Sequence, residues 1–554
     1  DLGDNSVGSK STTINITVNE QAPGPFEYNP ENNTLTNNSE VHLAPQFITQ
    51  TTGNGSTWRV ADINSGSGHS YPGYYMEIIV GDTLYFSANV GSSGTELWAH
   101  DTSNASTWRV ADIDSGTGSS NPGQYMSILV GDTLYFGADD GSSGHELWAH
   151  DTSNSSTWRV ADIYSGTGGS VPGAYMEILV GDTLYFSAND GSSGYELWAH
   201  DTSNSSTWRV ADIQSGAGSS TPGNYIEILV GDTLYFSADD GSSGKELWAH
   251  DTSNASTWQV TDINSGSGHS YPGQYMEILV GDTLYFSAED GSSGRELWAH
   301  DTSNASTWRV ADIRSGGSSS SPGLYMEILV GDTLYFSADD GSSGWELWAH
   351  DTSNSSTWRV ADVYSGTASS NPGAYMAILV GDTLYFSAND GSTGDELWAH
   401  DTSNASTWRV TDINSGAGSS PGYYMAIIVG DTLYFSVNDG SSGNELWAHD
   451  TSNASTWQVA DIKSGGGTSS PGNYMEIFVG DTLYFSAEDG SSGSELWAHR
   501  PSTIDYITNT GGAVTSWAIN ASLPSGVSFG TNNGTIYGTP TELWTQTSYM
   551  VWAN

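Results

Sequence analysis

The stretch Glu96-Leu97-Trp98-Ala99-His100-Asp101-Thr102-Ser103-Asn104 returns almost unchanged along the whole chain. Its Glu-Leu-Trp recurs at Glu146, Glu196, Glu246, Glu296, Glu346, Glu396, Glu445 and Glu495, at a period of 50 residues that shortens to 49 late in the chain. A supersecondary unit repeated at that period cannot bury its apolar face alone and must stack on its neighbours, so the repeat outweighs any domain count drawn from length. Within one period, Thr57–Ile63 alternates as a strand and a Ser/Gly loop follows to Pro72-Gly73. Tyr75–Val80 and Thr83–Ala88 flank a Gly81-Asp82 turn, and Gly91-Ser92-Ser93-Gly94 leads into Glu96–His100. Four short antiparallel strands in about 50 residues make one propeller blade. The repeat opens on an outermost strand at Trp58 and closes on a third strand at Trp497, so the chain start completes the last blade. That offset predicts a closed ring of nine four-stranded blades over residues 57–499, with no free sheet edge.

Composition narrows the function classes. The 554 residues carry 64 acids against 13 bases, for a formal charge of −51. A phosphate backbone would be repelled, which excludes nucleic acid as a partner class. Such a surface suits salty water and divalent cations. The chain has no cysteine, and no apolar run reaches membrane-spanning length, so no membrane insertion is expected in this segment. It opens at Asp1 and stops at Asn554, reading as one period of a longer polypeptide or as a mature unit.

The flanks differ from the repeat. Ser11–Glu20 alternates with period two, and a second strand candidate lies near Val41 and Leu43. After residue 500, Leu523-Pro524-Ser525-Gly526-Val527-Ser528-Phe529, Gly534-Thr535-Ile536-Tyr537-Gly538-Thr539-Pro540 and Ser548–Trp552 mark a β-sandwich cut short.

Two resemblances follow from these motifs. The blade resembles the Glu-Leu-Trp-x-x-Asp-Gly-Thr repeat proteins of secreted bacterial and archaeal surface polypeptides, through Leu84–Ala88, Asp112-Ile113, Asp140-Gly141 and Glu146-Leu147-Trp148. It departs from them at Asp101-Thr102-Ser103-Asn104, where a sequon replaces Asp-Gly-Thr. The tail resembles immunoglobulin- or cadherin-like modules found in tandem on microbial surface proteins. The resemblances imply an all-β chain, a nine-bladed propeller inserted in an immunoglobulin-like sandwich, located outside the cell or on its surface. Residues 23–56 would supply the first strands of that sandwich and a linker, and 500–554 its remainder. Residues 1–22 would be its closing strand. Such a strand runs beside the first one, and Asn19 to Gly24 span at most roughly 20 Å, barely a return along the sandwich. Supply in trans is therefore expected, with Ile14, Ile16 and Val18 of one copy joining Tyr549 and Val551 of the next. Copies of the chain itself would then be its partners in a head-to-tail fibre, or tandem covalent units would produce the same line.

Asn54, Asn104, Asn154, Asn204, Asn254, Asn304, Asn354, Asn404 and Asn453 head an Asn-x-Ser in the same turn of every blade, and Asn15, Asn32, Asn37, Asn520 and Asn533 head others outside the ring. These predict N-linked glycans on hydrated turns, against the alternative of Asx-turn caps. The copies differ at Thr95, His145, Tyr195, Lys245, Arg295, Trp345, Asp395, Asn444 and Ser494, no two alike. They differ also after Pro-Gly, from Tyr74 to Asn473, and at Asn64 and its counterparts. Blade topology puts these three sets on one face and the sequons and Gly-Asp turns on the other. The varied face is a candidate ligand surface for extracellular glycans or a partner cell, against unselected drift at solvated tips.

No cofactor motif is present. Calcium is the one ion the acidic turns such as Asp139-Asp140-Gly141 could hold, but no Asp-x-Asp-x-Asp-Gly loop occurs and turn-forming Asp is the plainer reading. Glu77, Glu177, Glu227, Glu277, Glu327 and Glu476 fall on the innermost strand and are expected to line the channel, interrupted by Ser127, Ala377 and Ala426. His100-Asp101 recurs in nearly every blade, which favours a structural histidine because an active site needs one asymmetric convergence of groups. No catalytic site is expected, and the chain is read as a structural or adhesive element rather than an enzyme.

Overall fold

The computed structural model describes residues 55–501 in full, and the backbone of seven flanking strands: Thr12–Ile16, Phe26–Asn29, Thr34–Asn37, Trp517–Ile519, Val527–Phe529, Ile536–Gly538 and Thr547–Ala553. The chain divides into two compact units. One holds Asn54–Ile428 with Leu433–Arg500, and the other Asp1–Gly53 and Pro501–Asn554 with Val429–Thr432.

The larger unit is an all-β propeller of nine four-stranded blades. In the first blade the strands run from Glu77–Val80 through Thr83–Asn89 and Thr95–Asp101 to Ser106–Ala111. The innermost strand is shorter than the alternation at Tyr75–Val80 suggests. Ser87 Oγ accepts the Tyr75 amide at 2.9 Å, drawing that end off the ladder. In the last blade, Ser494–Arg500 pairs with Ser56–Ala61 from the chain start, in the register Trp497 to Arg59, Ala498 to Trp58 and His499 to Thr57. The phase of the repeat therefore closes the ring as its sequence requires.

The core lies between blades rather than within them. Met76, Tyr85, Leu97 and Ala99 of the first blade pack on Leu134, Phe136 and Ala138 of the second. The closing seam repeats this with Met475, Tyr484, Leu496 and Ala498 against Leu84, Phe86 and Ala88. This explains the continuous apolar run of the second strand, which meets a neighbouring sheet on both faces. The Pro-Gly of each loop marks one close approach between blades. A Cβ on Gly123 (φ +82°) would lie 2.4 Å from Met76 Cβ of the preceding blade, so only glycine fits there.

The flanking strands form two sheets, each drawing on both chain ends. One runs Thr12–Ile16, Thr547–Ala553, Trp517–Ile519, and the other Thr34–Asn37, Phe26–Asn29, Ile536–Gly538, Val527–Phe529. Ile14 stands opposite Tyr549, Thr12 opposite Val551 and Ile16 opposite Thr547. This corrects the reach argument for trans supply, which assumed the head strand and Phe26–Asn29 to be neighbours in one sheet. They belong to different sheets, and Thr12–Ile16 pairs with Thr547–Ala553. Val18, the strand expected near Val41 and Leu43, and the side-chain packing of an immunoglobulin-like sandwich lie outside the described residues.

Candidate functional site

The two ends of the blade differ, and the sequons define one of them. Asp101 ends the third strand and its Oδ1 accepts the Ser103 amide at 2.9 Å, while Asn104 Nδ2 donates to Asp101 Oδ2 at 2.6 Å. Asn104 Oδ1 in turn accepts the amide of Ser106, the hydroxyl residue of its own sequon, at 2.9 Å. Ala105 takes φ +57° between them. This turn rests on the Gly-Asp turn, since the Thr102 amide reaches Asp82 O at 2.8 Å. Residues 103–106 are exposed, and the same arrangement recurs at Asn154, Asn204, Asn254, Asn304, Asn354, Asn404 and Asn453. The hydrogen bonds are those of an Asx-turn, and they leave the Asn104 amide nitrogen at an exposed tip with a second hydrogen outside the turn. Beside this face, the outer strands carry half-exposed tryptophans, among them Trp58, Trp108, Trp158 and Trp208. Asn15 and Asn37 fall in flanking strands whose side chains are not described; Asn32, Asn54, Asn520 and Asn533 lie outside the described residues.

Each seam is locked by a carboxylate whose role the sequence does not announce. Glu96 is fully buried and accepts three bonds from the loop entering the next blade: Ile113 N at 2.7 Å, Ser120 Oγ at 2.7 Å and Ser120 N at 3.1 Å. Glu495 does the same across the closing seam, taking Ile63 N and Ser70 Oγ, each at 2.8 Å. Burial raises the pKa of these groups, to about 7 for Glu246, Glu346, Glu396, Glu445 and Glu495. The one clue in sequence is that Glu-Leu-Trp and Ser-x-Pro-Gly recur together while the residues around the serine vary.

The recurrent histidine also belongs to the seam. His150 is buried with its Nδ1 2.8 Å from Thr157 Oγ1, and its ring lies 5.5 Å from Tyr85 of the preceding blade. Burial depresses its pKa, and in His449 and His499 it falls to about 4. The acidic turns close on themselves: Asp140 Oδ1 accepts the amides of Ser142 and Ser143 at 2.9 and 2.8 Å, and Asp139 Oδ1 that of Gly141 at 2.8 Å. Among the described residues no three acidic or histidine side chains converge as a metal site would require.

The channel glutamates do line the innermost strands. Each reaches back to the preceding blade: Glu177 Oε2 accepts Ser127 N at 3.0 Å, Glu227 accepts Glu177 N at 3.1 Å and Glu277 accepts Glu227 N at 3.2 Å. Burial raises them to about 7 or 8, with neighbouring carboxylates adding to the rise at Glu77 and Glu227.

The opposite face is varied but not simply solvated. None of the nine residues expected at its tips is classed as exposed, and Arg295 and Ser494 are buried. They fill the seam over the tyrosine that begins each inner hairpin. His145 meets Tyr125 at 5.3 Å, Tyr195 meets Tyr175 at 5.2 Å and Trp345 meets Tyr325 at 5.4 Å, while Lys245 and Arg295 lie over Tyr225 and Tyr275. Tyrosines also pack on tyrosines along this face: Tyr423 on Tyr375, Tyr71 and Tyr74 on Tyr474, Tyr74 on Tyr75, and Tyr271 on Tyr225 in the seam that holds Lys245. The cause is alternation: the first residue of the third strand points into the seam, while residues of the loop beside it reach solvent, with Tyr74 and Tyr423 more than half exposed. The ring is thus ninefold in backbone and lopsided in its varied face.

No protein-family model matches the sequence, and no curated protein does. Solved propeller structures share the fold at low identity. They include a computationally designed Ika8 protein (10% identical, TM-score 0.37, covering 68% of this chain and 95% of that one). Dipeptidyl peptidase 4 of Porphyromonas gingivalis is similar over 79% of this chain and 65% of its own, at 8% identity and TM-score 0.45. A puromycin hydrolase matches over 70% of this chain at 12% identity and TM-score 0.35, and the alignment spans 61% of the hydrolase. The expectation that the chain is not an enzyme is corrected by these neighbours, a peptidase and a hydrolase among them. The likeness is one of fold, and it assigns this chain no activity.

Proposed function

We propose that the chain is an extracellular structural and adhesive glycoprotein whose copies join head to tail, the strand Thr12–Ile16 of one docking on Thr547–Ala553 of the next. The observation that carries this reading is that both flanking sheets are built from both chain ends, with Thr12–Ile16 at an edge and, among the described strands, bonded to Thr547–Ala553 alone. An edge strand held by one ladder can exchange between copies at little cost, because the same bonds re-form in trans. The resemblance to Glu-Leu-Trp repeat and immunoglobulin-like surface proteins supports the same setting, as do exposed sequon turns around one face of the ring. Covalent tandem repetition would deliver the same line of rings. A charge of −51 per copy opposes association, so the fibre should form best at high salt, where the screening length falls to roughly 3 Å at 1 M. The open tyrosines near Tyr74 and Tyr423 favour a second reading, in which the varied face binds carbohydrate or a cell surface and the sheets are a stalk. Deleting residues 1–20 separates the two. Sedimentation at 1 M salt should show polymers for the full chain and single rings for the deletion; polymers that persist without the head strand would remove strand exchange.

A further inference from the structure

The varied face contains the same loop twice, in two different settings. Ile63–Gly73 and Ile263–Gly273 have the same sequence, INSGSGHSYPG, and they enter the first and fifth blades. In both seams a histidine stacks on the tyrosine two residues on, His269 on Tyr271 at 5.2 Å and His69 on Tyr71 at 5.1 Å. In both, that tyrosine meets the inner-hairpin tyrosine of the preceding blade edge-on, Tyr271 with Tyr225 at 5.5 Å and Tyr71 with Tyr474 at 5.0 Å. In both, the histidine Nδ1 accepts the amide of the seam residue, Lys245 at 2.8 Å and Ser494 at 2.9 Å. The two sites share these groups in the same order and differ beside them: the seam residue is Lys245 in one and Ser494 in the other, Tyr74 packs on Tyr474 at 5.2 Å where the fifth blade has Gln274, and the Arg295 guanidinium lies 5.5 Å from the Tyr271 ring where the first blade has Thr95.

The lysine shows what those groups hold. Lys245 Nζ sits 5.0 Å from the centre of the Tyr225 ring and donates to Thr221 Oγ1 at 2.8 Å. An ammonium over a tyrosine face is attracted by the negative face of the ring. At the closing seam, Ser470 stands where Thr221 does, with nearly the same backbone (φ 48° against 46°), and Tyr474 stands for Tyr225. Serine in place of lysine leaves a cavity of about 120 Å³, lined by His69, Tyr71, Ser470, Tyr474, Glu488 and Ser494 among others. Glu488 stands where Asp239 attracts Lys245 in the other seam, but it is already paired with Lys463 at 2.7 Å, so the groups left to recognise an amine are the tyrosine face and the hydroxyl. Tyr74, 54% exposed and 5.2 Å from Tyr474, stands at the rim.

We propose that the cavity between Tyr71 and Tyr474 is a binding site for a primary alkylammonium, with an incoming amine taking the place that Lys245 takes in the equivalent seam. The site goes beyond the fibre reading and is independent of how the chain ends pair. The chain's charge of −51 concentrates such cations at the surface before they enter.

Saturation-transfer NMR on the full chain, with n-butylammonium as the probe and n-butanol as its neutral match, tests this. The amine should bind in the millimolar range, as a single exposed cation–π contact and one hydrogen bond allow, and the alcohol at least tenfold more weakly. Ser494→Lys places the chain's own ammonium in the cavity and should weaken the amine at least tenfold. Lys245→Ser should open a second site and raise the stoichiometry from one to two, a gain that damage to the fold cannot mimic. Nα-acetyl-lysine methylamide distinguishes the sources: tighter binding than butylammonium assigns a protein lysine, and equal binding a free amine. Equal binding of the alcohol, absence of amine binding at 50-fold excess over about 1 mM, or indifference to Ser494→Lys would overturn the assignment.

Discussion

A chain carrying Trp58→Pro and Val60→Pro should lose the closed ring. Ser56–Ala61 is the outer strand of the last blade, and no hairpin ties it to Arg500, so its ladder and the packing of Val60, Ala61 and Ile63 hold it there. Two prolines remove two strand donors and their rings disrupt the pleat. The loss of about five ladder bonds and the buried side chains beside them should cost on the order of 5–10 kcal/mol. It also exposes Ser494–Arg500 as an edge ready to pair with another chain. The matching pair Trp258→Pro and Val260→Pro breaks an equivalent strand in the middle of the ring, where a hairpin still joins Asp251 to Ser256. Small-angle scattering should show an enlarged, opened particle for the first pair and a ring of unchanged radius for the second. Equal behaviour of the two would mean that the ring does not depend on this strand for closure.

The second large effect is one of pH. Glu177, Glu227, Glu277 and Glu327 are raised to about 7, 8, 7 and 8, chiefly by burial. A carboxyl raised in the fold contributes stability that is complete below its unfolded value near 4.5 and is lost as pH climbs through 7 to 8. Glutamine keeps an oxygen for the amide of the preceding blade and never ionises. Replacing all four with Gln should therefore leave the melting temperature unchanged at pH 5 and raise it at pH 8. Allowing for partial hydration, the gain should be roughly 4–6 kcal/mol in total, or about 5 °C for a ring of this size. The buried histidines act in the opposite sense. Their pKa is depressed, so their contribution is complete above about 6.5 and lost as pH falls towards 4. They are common to both proteins, and the difference between the two melting curves isolates the glutamates. A variant less stable than the parent at pH 8 would show that the ionised carboxylates hold the seams.

The number of blades, their closure and the separation of the two faces were legible because each follows from period and phase, which survive in a single sequence. The phase of Trp58 against Trp497 predicts the closing ladder, and the turn at Asn104 lands where four-stranded topology puts it. The lock at Glu96 was not legible. A glutamate beside Leu97-Trp98 reads as a solvated charge, and its burial depends on donors at Ile113 and Ser120 that no local pattern connects to it. The varied residues misled in a different way. Repeat-to-repeat variation at Lys245, Arg295 and Ser494 suggests free tips, whereas strand alternation turns them into the seam over a tyrosine. The head strand was recognised as a partner of the tail, but the distance it must cover depends on which sheet receives Phe26–Asn29, and alternation of apolar residues carries no such information.

The claim that the two chain ends complete one another, and do so between copies, is tested most directly by a cysteine pair. The chain has no cysteine of its own, and Ile14 faces Tyr549 across the ladder. Oxidising the Ile14→Cys, Tyr549→Cys protein at 1 M salt and separating the products under denaturing, non-reducing conditions should yield a ladder of dimers, trimers and longer chains that collapses on reduction. A single monomeric band carrying an internal disulfide at every concentration would contradict head-to-tail exchange and leave each chain's head paired with its own tail.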